Sequence, residues 1–339
     1  MRFLSVLSLV LVSAPALAND GFGGISATGL TFSRTDAVAM EREDLFISVD
    51  RIAVDYTFRN LTGADVTGEV IFPLPPLPLQ GLLTSDYNLP DDLTRENLLD
   101  FTITVDGQAV TPKLDRIAVI EPPWDAPRPL SAQYDTPGRD VTAVLAEYGI
   151  PLTLDTDAVV AALSALPADD RARLTAEGIA DFYEGDGADI PPEVFPLWSV
   201  VLRYHWTQTF PAGAAIEVSH SYENRPTGGI FSWSHPPEDW QADYVERYCV
   251  DEGTSRAMAA RLGPEGYGTA YLIDYVLRTA NSWAGPIGQF RLTIDKGKAE
   301  NVISLCIDGI EKTGPTTFVV EKTDFSPQDD LRILLLAPF

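Results

Sequence analysis

The stretch that decides the fold runs from Glu41 to Pro76, EREDLFISVDRIAVDYTFRNLTGADVTGEVIFPLPP. Ile52, Val54, Tyr56 and Phe58 alternate with Ala53, Asp55, Thr57 and Arg59, which puts the first set on one face of a strand. Asn60 to Asp65, NLTGAD, is turn chemistry. Beyond it, Val66, Gly68, Val70 and Phe72 alternate with Thr67, Glu69 and Ile71. A hairpin with Phe58 opposite Val66 also sets Tyr56 opposite Gly68, Val54 opposite Val70 and Ile52 opposite Phe72, all on one face. Tyr56 then covers the bare backbone of Gly68. Pro73, Pro75 and Pro76 cannot donate ladder hydrogen bonds and end the strand. Upstream, Leu45, Ile47 and Val49 alternate too, and Asp50-Arg51 breaks their phase, which predicts a bulge or bend. Glu41, Glu43 and Asp44 read as an exposed, charged strand edge, the one part of the stretch available to a partner.

The pattern continues on both sides. Asn19 to Thr35 is glycine-rich and is expected to cap an edge of the first sheet. DDLTRENLL, Asp91 to Leu99, predicts one or two helical turns. Phe101, Ile103 and Val105 alternate, Asp106-Gly107 is a hairpin turn, and Ala109 to Lys113 returns. Residues 19–125 therefore read as an N-terminal antiparallel β-sandwich region. Residues 126–197 read as a linker and a helical insertion. The stiff PPWDAPRP from Pro122 leads into helices over 140–148, 155–166 and 169–182, the last capped by Asp169. Residues 198–339 form a C-terminal β region that can pack with the first as one unit. In it Leu202, Tyr204, Trp206 and Phe210 share a phase with Ile216, Val218, His220 and Tyr222, joined by Pro211 to Ala215. A short helix spans 251–262, stopped by Gly263-Pro264. Further strands are expected over 289–295, 302–307, 316–322 and 331–336. The fold class is mainly β, with antiparallel β-sandwich regions and a helical insertion.

Arg2, the apolar run Phe3 to Val12 and the small-x-small site Ala16-Leu17-Ala18 form a secretion signal over residues 1–18, cleaved after Ala18. The run is too short to span a bilayer, and no later stretch is long and apolar enough. The expected location is periplasmic or secreted. The 339 residues carry a formal net charge of −25. The carboxylates are scattered, which argues against a disordered acidic tail and against nucleic acid as a partner. Cys249 and Cys306 are the only cysteines, and oxidation is the default in that compartment, so a structural disulfide is expected. Two free buried thiols are the other reading; a redox pair lacks CxxC spacing.

Candidate chemistry is sparse. His205, His220 and His235 suggest a metal site, but aligning the apolar phases puts His220 opposite Trp206 and turns His205 to the other face. Glu184, Asp186, Asp189 and Glu193 offer oxygen ligands without the EF-hand order. The aromatic loop FSWSHPPEDW supplies the candidate binding residues Trp233, His235 and Trp240, which with Phe231 make either a stacking platform or an apolar plug. No GxSxG, HExxH or SxxK is present, and no glycine-rich phosphate loop stands out. No cofactor is indicated and no catalytic residue is assigned.

Several phrases together carry a likeness: ND at Asn19, EDLFIS at Glu43, DYTFRN at Asp55, DVTGEVIFPLPP at Asp65, YCVD at Tyr248, TANSWAGPIGQFRLTIDKG at Thr279 and KTDFSPQDDLRILLL at Lys322. The chain resembles the exported bacterial domain-of-unknown-function family 4424, from about Asn19 to Leu336, with little contribution from the helical insertion. The likeness implies export and a full-length unit, and it implies no activity. The FRN-turn-FPLP portion is similar to the VIT β-sandwich of inter-α-trypsin inhibitor heavy chains, which serves in protein association. The function expected is a non-catalytic periplasmic binding or assembly protein that contacts an envelope protein or glycan. The alternative is a hydrolase or metal-dependent enzyme whose site assembles in space, through His220, His235 and carboxylates. A third reading is a stress-related structural protein without a ligand.

Overall fold

Two large sheets lie face to face, and the Glu41–Pro76 stretch crosses from one into the other. The structure, a computed structural model, describes residues 17–18, 20–26, 29–74, 76–84, 88–123, 138–185, 187 and 191–339. Strand Arg51–Asn60 pairs with Val38–Ile47 on one side and Ala215–Glu223 on the other. Strand Val66–Pro73 pairs instead with Ser199–Phe210 and Gly21–Ser26, in the second sheet. The hairpin expected between Phe58 and Val66 is therefore absent. The apolar sets meet across the gap between the sheets: Phe58 lies 5.9 Å from Phe210 and Phe72 lies 5.2 Å from His220, ring centroid to centroid. An alternating pattern says which face is buried, and a β-sandwich satisfies it as well as a hairpin does.

Two of the chain's crossings between the sheets, Asn60 to Val66 and Phe210 to Ala215, hold each other. Asn60 Nδ2 donates to the carbonyls of Ala64 and Phe210, both at 2.8 Å, while its Oδ1 accepts from the Thr62 amide. The Ala214 carbonyl accepts from the Asn60 amide, and Asp65 accepts from the Ala212 amide. So Pro211–Ala215, read as a hairpin joint, is also an arch from one sheet to the other.

The first sheet runs Glu311–Lys312, Thr317–Phe325, Ile287–Asp295, Val38–Ile47, Arg51–Asn60, Ala215–Glu223, Thr102–Val105, Gln108–Val110. Its one parallel pairing among the described residues joins the N- and C-terminal regions, with Leu292 beside Leu45. The phase break at Asp50-Arg51 is the turn of the hairpin that sets Ile47 against Ile52; the bulge lies earlier, between Met40 and Arg42. The second sheet runs Arg139–Asp140, Lys113–Ile120, Ser199–Phe210, Val66–Pro73, Gly21–Ser26, Gly29–Phe32. The glycine-rich N-terminal segment caps its edge.

A third sheet is built on Tyr267–Val276 and Leu331–Pro338, with Thr227–Ser232 and Val302–Leu305 on its flanks and Leu17–Ala18 paired parallel to Tyr275–Val276. One face, with Ile273, Tyr275, Leu331 and Ile333, joins the core between the large sheets. The other face covers a second core of Phe231, Trp233, Tyr248, Val250, Met258, Leu262, Ala270, Leu334 and Leu336.

The insertion supplies helices Thr142–Glu147, Thr156–Ser164 and Ala168–Ala176, which bury Leu145, Val159, Leu163 and Leu174 in the main core. Asp155 caps the second by accepting from the Ala158 amide. The third departs from expectation at both ends. Pro167 holds the N-cap, and Asp169 and Asp170 sit in the first turn. Gly178, at φ 63°, follows its end, and Ala180–Tyr183 then forms a hairpin with Glu193–Pro196. Asp91–Leu99 contains turns and no helix; a helix lies instead at Leu79–Thr84. The leader reading falls mostly on residues 1–16 and 19, and the Pro-rich linker mostly on 124–137; these lie outside the described residues. Among the described residues no helix is long and apolar enough to cross a membrane.

Candidate functional site

The aromatic loop sits at the rim of the third sheet. Phe231 pairs with Gly268, Ile230 with Thr269 and Ser232 with Tyr267. Directly paired residues share a face. Phe231 thus enters the second core, while Ile230 and Tyr267 point the other way and are 82% and 54% exposed. Thr227–Ser232 pairs only with Tyr267–Val276 among the described strands, so its outer edge is open there. Gly228 is required here: at φ 151° its backbone comes so close to Ala270 that a Cβ would stand 1.8 Å from that carbonyl oxygen.

The expected platform of Trp233 and Trp240 divides. Trp233 is buried, stacks on Phe231 at 6.1 Å and donates Nε1–H to Ser255 Oγ at 3.0 Å. It is the plug of the second core. Trp240 is half-exposed, lies edge-on to Phe231 at 6.4 Å and donates Nε1–H to Glu238 at 2.9 Å. Glu238 and Gln241 form a capping box that fixes this turn. His235 is exposed, and its Nδ1 meets the same Ser255 Oγ at 3.0 Å. This pairing has the composition of a nucleophile and its base, but Ser255 is 2% exposed and already accepts from Trp233, so it serves as a structural knot.

The carboxylates at the head of the opening stretch do not form an exposed edge. Val38–Ile47 is an interior strand, and Glu43 shares the inward phase of Leu45 and Ile47, while the bulge brings Val38 and Met40, of the other parity, to the same face. Glu43 is fully buried. Glu41 pairs with Arg59 at 2.5 Å, and Asp44 pairs with Arg42. Glu43 belongs to a polar group inside the main core, with Asp20, Tyr56, Tyr275 and His220. Burial pushes the hydroxyls of Tyr56 and Tyr275 well above the usual tyrosine range, and Asp20 and Glu43 add to it. His220 Nδ1 stands 3.4 Å from Asp20, both fully enclosed.

His205 does point to the opposite face, where its Nδ1 meets Glu69 at 2.7 Å. His220 and His235 do not come together: the first lies beside Asp20 in the main core, the second beside Ser255 at the rim of the other. No group of three or more His, Cys, Asp or Glu among the described residues is placed to hold a metal ion. Asp186 and Asp189 of the carboxylate loop lie outside the described residues. Cys249 and Cys306 form the disulfide, with Cα atoms 5.1 Å apart.

Sequence reasoning passed over one charged group. Asp274 interrupts the apolar run of Tyr267–Val276 and is 2% exposed, with Arg247 at 3.6 Å. A lone carboxylate between Ile273 and Tyr275 was the available signal, and the alternation of the neighbours hid it.

The phrases that carry the family likeness fall on these same strands and on the two cysteines' neighbourhood. The model of the domain of unknown function DUF4424 matches residues 18–334. The chain belongs to this family. Membership covers both large sheets, the insertion and the third sheet, and it brings no activity with it. Among solved structures, the chain is similar to one described as a "putative nutrient binding protein" of Legionella pneumophila. That likeness has 15% identity, spans 95% of this chain and 71% of that one, and has a TM-score of 0.48. No curated protein matches.

Proposed function

We propose that this family member is an exported, periplasmic, non-catalytic binding or assembly protein that engages an extended segment of another envelope protein. The observation that carries the reading is the open edge of Thr227–Ser232, flanked by the exposed side chains of Ile230, Tyr267 and Trp240. An open edge gives a partner strand main-chain hydrogen bonds, and side chains beside it give specificity. The net charge of −25 favours a segment carrying lysine or arginine. Export rests on the leader pattern, with cleavage after Ala18.

Mild crosslinking in periplasm followed by pull-down tests both parts. The expected result is a chain beginning at Asn19 that captures an envelope protein, with capture lost in Ile230→Lys and reduced in Trp240→Ala. Capture of a glycan in place of a protein, or equal capture by both variants, overturns the edge-strand reading. A chain retained in the cytoplasm with its first residues intact overturns export.

A further inference from the structure

We infer that the buried corner around Asp274 is a binding site for a protonated oxyanion, inorganic phosphate above all. The inference is independent of the edge strand. Asp274 lies on the side of the third sheet that faces Tyr248, and Arg332 is its direct partner across the strand pair, so both side chains project from the same face. Arg247 reaches Asp274 from above at 3.6 Å, and Arg278 holds Asp330 at 3.5 Å, two residues before Arg332. Asp330 also accepts from the amides of Leu277 and Arg278. The corner is rigid: the disulfide joins Cys249, two residues past Arg247, to Cys306, just past the point where Leu305 pairs with Ile333.

The corner's polar atoms call for a ligand. Asp274 Oδ1 and the Nε atoms of Arg247, Arg278 and Arg332 are buried without a hydrogen-bond partner among the described residues. Native interiors leave few such groups, and four of them gather in this one corner. Three guanidiniums face two carboxylates, which leaves positive charge in excess inside a chain of net charge −25. The arginine side chains remain partly exposed, 39% for Arg247 and 26% for Arg278, whereas Asp274 lies at the bottom with 1%. The donors at the rim suit the oxygens of an anion. The free acceptor at the bottom suits an anion that still carries a proton. Hydrogen phosphate has such a proton; sulfate does not, and a phosphomonoester has lost most of its own at neutral pH.

Calorimetry on the full mature chain in chloride buffer at neutral pH tests this with phosphate, sulfate and glycerol phosphate. Phosphate should bind with one site per chain. It should bind about tenfold or more tighter than the other two, because each of them sets an unprotonated oxygen against Asp274 Oδ1. Arg247→Gln, on the exposed side of the corner, should abolish phosphate binding with the melting temperature little changed, and Arg332→Gln should do the same. Asp274→Asn should bring sulfate level with phosphate. No heat with phosphate, equal binding of all three anions, or phosphate binding that survives Arg247→Gln overturns the proposal.

Discussion

The ring of Phe22 lies over Gly68, 2.5 Å from where a Cβ on that glycine would stand. Phe22 also packs edge-on against Trp283 at 5.4 Å, and the Trp283 indole donates to the Asp20 carbonyl. The segment from Asp20 to Phe22 is thereby locked against Trp283 where it joins the second sheet. Gly68→Ala should destabilise by about 1–3 kcal/mol through overpacking. In a Phe22→Ala background the same change should cost little, a non-additivity that a double-mutant cycle in urea reads directly. Additive effects would mean that the two residues do not share the space.

The disulfide closes a separation of 57 residues. In the chain-entropy model this stabilises by about 4 kcal/mol. Cys249→Ser with Cys306→Ser should lower the denaturant midpoint accordingly while leaving the two large sheets folded, since neither cysteine lies in their core. The check is unfolding monitored by far-UV circular dichroism.

Ser255 accepts the Trp233 indole proton inside the second core. Ser255→Ala leaves that donor without an acceptor and should cost about 1–3 kcal/mol. The loss should appear in chemical denaturation together with a changed near-UV tryptophan signal. An unchanged midpoint would show that the knot at Ser255 adds nothing to stability.

Burial alone would raise the Glu69 carboxyl, but hydrogen bonds from His205 and Thr207 outweigh it and hold it below the usual range. A depressed acid stabilises the fold above its unfolded pKa, and that contribution is lost as pH falls through the folded value. Glu69→Gln should therefore lower stability at neutral pH by about 1–3 kcal/mol. The gap between variant and parent should close as pH drops below about 4, the unfolded glutamate range. Urea midpoints across pH measure it.

Much of the fold was legible because strands write a period of two into the chain. The inward faces of Ile52 to Phe58, Val70 to Phe72 and Ile216 to Tyr222 were all readable, as were the Asp106-Gly107 hairpin, the insertion helices and the Cys249–Cys306 bridge. Strand partners were not. Alternation fixes a face and carries no label for the neighbour, so two arches looked like two hairpins. Glu43 was misread for a different reason: it lies in the same phase as Leu45 and Ile47, and its charge outweighed the alternation that placed it inward.

The candidate sites divide along the same line. By itself, the sequence determined the leader pattern, the mainly β class, the acidic balance, the family and the short set of residues worth watching, because these follow from local pattern and composition. The tertiary structure alone decided that Trp233 is core and Trp240 is rim, that Ile230 stands on an open edge, and that Arg247, Arg278 and Arg332 gather around Asp274. Those are relations between residues up to 85 positions apart, made when strands pair and helices dock, and no local preference encodes them.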